Sequence, residues 1–227
     1  MDRYPFYNII AISEGANLCL KNMLTNEFSF NCSGISVCCE DYCHKYEDEF
    51  NSFIKLPPDC LKYGYAEQGL LPLYNNLIKD NTKIVILIFT SGVNENYNYQ
   101  HKLTEYLKSK GLDIYVICSL PFKFEGEKRR QRGIKQIELI KENIDSCLVI
   151  DSEIIWQKDK LNFNNCFERL DSLIHNILSK IIEILDDYNV TCDSSETVRQ
   201  QIKDKINTIF LQTSHLAYIL QESQSKI

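Results

Sequence analysis

The chain has 227 residues, 44% of them hydrophobic and 25% charged, which suits one well-buried globular domain. A formal net charge of −6 argues against a nucleic-acid partner, whose phosphates would meet a repulsive average surface. Ten cysteines and no secretory leader pattern point to a reducing compartment, so a cytoplasmic protein is expected. The longest apolar run, Ile84–Phe89, is too short to span a membrane.

Short apolar runs alternate with helical patterns along the chain. Tyr7–Ile12 reads as a strand, followed by a helix around Ala16–Leu24 and a second strand at Gly34–Cys39. A polar, aromatic stretch broken by Pro57 and Pro58 comes next, then a helix at Gln68–Lys79 and a β-branched strand at Lys83–Phe89. The helix Tyr99–Lys110 should stop at Gly111. Strand Leu112–Cys118, helix Glu127–Asn143 and strand Ser146–Ile150 follow. Beyond Ile150 the pattern is helical only, with apolar stripes over Asn164–Asp187 and Glu196–Gln221.

Two local clusters invite functional readings. Cys38, Cys39, Cys43 and His44 have metal-ligand chemistry. Adjacent strand residues point to opposite faces, however, and no second paired motif follows, so no metal is expected. Lys128, Arg129, Arg130 and Arg132 open a helix and are interleaved with glutamates, the pattern of a solvated face. The thiols of Cys118 and Cys147 fall inside apolar strands and should behave as small hydrophobes.

Nearly all-apolar strands alternating with helices predict an α/β fold, a Rossmann-like three-layer sandwich around a mostly parallel sheet and ending in long helices. Ligands in such sheets bind beyond the carboxyl ends of the strands.

Pro121-Phe122-Lys123-Phe124-Glu125-Gly126, with Arg129 three residues on, resembles the PFxFEGxxR element of the tubulin/FtsZ GTPases. At matching spacing, Ile144-Asp145-Ser146-Cys147-Leu148-Val149-Ile150 resembles that family's VDSLIVI strand, and Ile84–Phe89 its central strand. The resemblance runs from about Tyr7 to Val198. It implies the GTPase-domain fold over residues 1–190, with 191–227 as a helical extension packed on it and the family's second domain absent.

The resemblance also implies a nucleotide site and marks departures from it. Glu125 and Arg129 fall where the family contacts nucleotide, although they equally suit a loop-to-helix junction. Phe167 falls where a phenylalanine meets guanine, with core packing as the other role, and Asp171 could accept from the base. Ser13-Glu14-Gly15-Ala16-Asn17 keeps Gly15 and Asn17 of the first phosphate loop but adds Glu14. Gly64–Gly69 keeps Glu67 and Gly69 of another loop, and Ser152 replaces an asparagine. The signature loop GGGTGTG becomes Gly92-Val93-Asn94-Glu95-Asn96-Tyr97-Asn98, with Gly92 the one glycine left. Backbone amides that would cradle phosphate are replaced by bulk and negative charge.

Hydrolysis in FtsZ uses an acidic loop inserted into the next subunit's site. Asp193 and Glu196 could serve as that pair, or Asp193–Glu196 could simply cap the following helix. The expectation is a degenerate FtsZ-like domain that works by association with itself or a true FtsZ-like protein, with weak or no GTP hydrolysis. The alternative is a divergent cytoskeletal or cell-division GTPase binding GTP or GDP.

Overall fold

Strands that are apolar on both faces must be covered on both sides, and that requirement organises the molecule. The computed structural model describes residues 6–24, 32–37, 50, 52–56, 75–93, 99–159, 162–163, 165–191, 195–213 and 217–221. Its strands are β1 (Tyr7–Ile12), β2 (Cys32–Val37), β3 (Ser52–Leu56), β4 (Ile84–Thr90), β5 (Asp113–Leu120), β6 (Ser146–Asp151) and β7 (Ala217–Gln221). They form one sheet in the order β3-β2-β1-β4-β5-β6-β7, parallel except for β7. The helices are α1 (Glu14–Leu24), α2 (Tyr99–Ser109), α3 (Glu127–Ile140), α4 (Ser152–Asp159), α5 (Cys166–Thr191) and α6 (Glu196–Thr213).

The pleat sorts the two cores. Ile9, Ala11, Ile84, Ile86 and Ile88 face α1, α5 and α6, meeting Leu20, Leu178, Ile181 and Phe210. Ile10, Ile12, Val85, Leu87 and Phe89 face α2 and α3, meeting Leu103, Leu107, Ile137 and Ile140. Tyr7 Oη reaches across the first layer and donates to Asp186 Oδ1 at 2.7 Å.

Ion pairs clamp the sheet at both ends. Arg130 forks onto Asp151, with Nη1–Oδ1 at 3.0 Å and Nη2–Oδ2 at 2.5 Å, and Nη1 also donates to Pro121 O at 2.9 Å. Arg130 is therefore not part of a solvated face: its side chain is 15% exposed and ties α3 to the ends of β5 and β6. At the other end Arg199 forks onto Asp113, with both contacts at 2.7 Å, and Lys203 reaches Asp145 at 2.8 Å.

Three elements differ from the sequence expectation. The helix expected over Glu196–Gln221 ends at Thr213, and Ala217–Gln221 pairs antiparallel with β6. An unpaired β6 edge would expose a row of backbone donors and acceptors, and this strand satisfies them. The chain beyond Ile150 is thus not helical throughout. β3 and α4 are additional, and of the helix expected at Gln68–Lys79 the described part holds a 3₁₀ turn at Asn75–Leu77. Cys38, Cys39, Cys43, His44 and Gly64–Gly69 lie outside the described residues.

Substituting Arg130→Ala leaves a partly buried Asp151 without its fork and should cost about 2 kcal/mol of stability. Urea denaturation of R130A, D151A and the double variant should give strongly non-additive losses. Simple additivity would show that the pair holds nothing together.

Candidate functional site

The strand order reverses between β1 and β4, the place where doubly wound sheets form ligand crevices. β1 ends at Ile12, and Ser13 takes a φ of 95° before α1 begins. Between Ser13, the ends of β4 and β5, and the first turns of α5 lies a cavity of about 360 Å³. Its walls are mostly apolar, including Ala16, Leu18, Ile88, Leu170 and Ile174.

Gly15, Glu125, Arg129, Phe167 and Asp171, read separately from the sequence, all line this cavity. Asn17 and Gly92 do not. Asn17 is fully buried in α1, its N–H bonded to Ser13 O at 2.9 Å. Gly92 lies under α3: a Cβ built on it would fall 2.2 Å from the Arg129 carbonyl oxygen. With a φ of 77°, the position suits glycine on both counts. Its N–H donates to Gln136 Oε1 at 2.7 Å, and Ser91 N–H donates to Ser119 O at 2.9 Å. Residues 94–98, with Glu95, and the side chain of Glu14 lie outside the described residues.

Glu125 and Arg129 hold each other across one helical turn, Arg129 Nη1 to Glu125 Oε2 at 2.7 Å. The second Glu125 oxygen accepts the Phe122 N–H at 2.8 Å. The carboxylate therefore closes the 3₁₀ turn Lys123–Glu125 with both oxygens engaged. Phe167 does not pack in the core; it is 43% exposed, its ring 5.3 Å from Phe122 and edge-on to it. Phe124 stacks on Phe122 at 4.9 Å and approaches Trp156 and Phe163, so the cavity borders an aromatic cluster.

No family model matches the sequence. An 80-residue stretch, 34% of this chain, is 28% identical to the cell division protein FtsZ of Aquifex aeolicus and spans 22% of it. Among solved structures, the empty FtsZ dimer of M. jannaschii superposes with a TM-score of 0.68 at 15% identity, covering 82% of this chain and 56% of that one. The phage tubulin PhuZ with GDP gives 0.61 at 10% identity, covering 96% and 65%. The chain thus spans less than two thirds of the length of these relatives.

The fold is that of the FtsZ/tubulin GTPase domain, and over part of its length the sequence is similar to FtsZ.

Within this FtsZ-like frame, Glu196 sits far from the cavity. It borders a polar hollow with Asp113, Arg199, Gln200 and Lys203, at the amino end of β5. Eight residues of strand separate the two ends, roughly 25 Å. Glu196 is exposed in the first turn of α6, where Ser195 Oγ accepts the Val198 N–H at 3.4 Å, a capping contact. Asp193 lies outside the described residues. Among the described helices none is long and apolar enough to cross a membrane.

Several lining residues carried no signal in the sequence. Ser13 lines the cavity because of its positive φ, which no serine advertises. Cys19, Thr90 and Ser119 reach it only through the strand and helix register. Burial pushes the Cys19 thiol up to about 12 and the Asp171 carboxyl up to about 6. The Asp171 carboxyl has no counter-charge or hydrogen-bond donor among the described residues, while its backbone carbonyl accepts from Cys19 Sγ at 4.0 Å.

The folded pKa of Asp171 lies above the unfolded value near 3.9, so the folded chain holds the extra proton between about pH 4 and 6. Stability should fall as pH rises through that window. Asp171→Asn should remove this loss. Because the group is partly solvated, we expect a gain of about 1 kcal/mol at pH 7.5 and little change at pH 4. Thermal melts at the two pH values check the sign, and destabilisation at both would refute it.

Proposed function

We propose that this chain is a degenerate FtsZ-like domain that acts through protein association, with itself or with an FtsZ-like cytoskeletal protein, and hydrolyses GTP weakly or not at all. The observation that carries this reading is the Gly92 N–H bound to Gln136 Oε1. A nucleoside triphosphate needs backbone amides turned toward its phosphates, and the Ser91 and Gly92 amides after β4 are turned toward protein acceptors. Glu125 likewise engages Arg129 Nη1, while Arg129 Nε stays buried without a partner among the described residues. The inward-turned Ser91 and Gly92 amides support a site that holds a triphosphate poorly.

Association is supported by an apolar surface beside the cavity. Phe124, Phe163 and Phe167, whose rings meet one another, are 44%, 61% and 43% exposed. A patch of this kind favours a partner.

The alternative, a divergent GTP-binding and GTP-hydrolysing cytoskeletal protein, draws on the convergence of Gly15, Glu125, Arg129, Phe167 and Asp171 on one cavity. A calorimetric titration with GDP and GTP in the presence of magnesium separates the two. We expect no saturation at micromolar nucleotide, and sedimentation that depends on protein concentration alone. Micromolar binding with hydrolysis that rises on assembly would overturn the degenerate reading.

A further inference from the structure

Charges of both signs line the cavity, and polar atoms of both kinds in its wall are unmet. Glu125 holds Arg129 Nη1 at 2.7 Å, yet Arg129 Nε is buried without a partner among the described residues. Ser13 is 9% exposed, and its Oγ is also unmet among the described residues. A cation would meet the Arg129 guanidinium and an anion the Asp171 carboxylate, so neither sign is selected. A neutral ligand avoids both penalties, provided that it brings an acceptor for Arg129 Nε and a donor for the oxygens.

The mouth of the cavity is apolar. Leu18, Val93 and Phe167 line it and are all well exposed, and the rings of Phe124 and Phe163 lie 6.2 and 6.3 Å from that of Phe167. The size of this surface limits what can cover it. The three rings leave about 300 Å² uncovered, where a stable protein–protein contact takes roughly 800 Å² from each side. A second folded copy is therefore not held by this patch alone. The cavity of about 360 Å³ adds depth rather than breadth, and depth suits one bulky side chain carried by a short segment. A peptide group is also neutral and carries a carbonyl acceptor and an N–H donor in one unit.

We infer that the cavity docks a short peptide segment of a partner protein, with one aromatic or branched apolar side chain filling the chamber, the flanking backbone meeting Arg129 Nε and Ser13 Oγ, and the exposed rings covering the segment's apolar flank. This rests on the reading of the chain as an association domain and specifies the contact through which it associates.

The test is an NMR titration of the full chain at pH 7.5 with capped heptapeptides of glycine and serine whose central residue is phenylalanine, leucine or alanine. The phenylalanine and leucine peptides should bind about tenfold or more tightly than the alanine peptide, as burial of such a side chain requires. Shifts should map to Ser13 and Leu18, and the Arg129 Nε–H resonance should move. Leu18→Glu at the mouth should weaken the phenylalanine peptide about tenfold, whereas Leu139→Glu, at a similarly exposed position on α3, should change nothing. Equal binding of the phenylalanine and alanine peptides would overturn the inference, as would equal effects of L18E and L139E or an unmoved Arg129 Nε–H at saturation. Displacement of the phenylalanine peptide by equimolar guanosine would overturn it as well. No saturation at millimolar peptide would also sink it, and concentration-dependent sedimentation of the chain would then leave the association reading standing.

Discussion

The close seating of α3 on the turn after β4 governs this molecule. Two positions without side chains make it geometrically feasible. A Cβ on Gly92 would fall 2.2 Å from the Arg129 carbonyl oxygen, and one on Gly133 would fall 2.5 Å from Ser91 Oγ. Once the helix is that close, Gln136 can reach the Gly92 N–H at 2.7 Å. A buried amide must find an acceptor, and here a side chain of the fold supplies it. The same seating sets the start of α3, so that Arg129 meets Glu125 and Arg130 meets Asp151.

The cavity inherits its character from this contact. The Ser91 and Gly92 amides are directed inward, Arg129 Nη1 is paired with Glu125, and the cavity beside them is mostly apolar with the Asp171 carboxyl in its wall. The opposite end of the sheet is held independently by Arg199 on Asp113 and Lys203 on Asp145. Partly exposed pairs of that kind are worth little singly, and their use here is to fix α6 in register with the strand ends. Antiparallel β7 then closes the β6 edge, leaving the sheet with a doubly wound order at its centre.

Much of the architecture was legible because buried parallel strands leave an apolar signature that polar helices interrupt. β1, β4, β5 and β6 were read within a few residues, and Gly111 marked the end of α2. Pro121–Arg129 led to residues that line the cavity because they act locally, through a turn and a helix start. What was not legible depends on distant partners. β7 reads as the continuation of an amphipathic helix, since Ala217 and Leu220 fit a helical stripe; only the open edge of β6 makes it a strand. Arg130 looked like one charge in a basic run until Asp151, 21 residues away, was beside it. Gly92 suggested a vestige of a phosphate loop, whereas its surroundings give it a packing duty that no local pattern encodes.

Amide hydrogen exchange at Gly92, followed by NMR with and without GDP and magnesium, tests the central contact most directly. The account predicts a slowly exchanging Gly92 N–H, unmoved by nucleotide, that becomes fast when Gln136 is replaced by alanine. An amide that exchanges freely in the unliganded chain and is protected on adding GDP would contradict it.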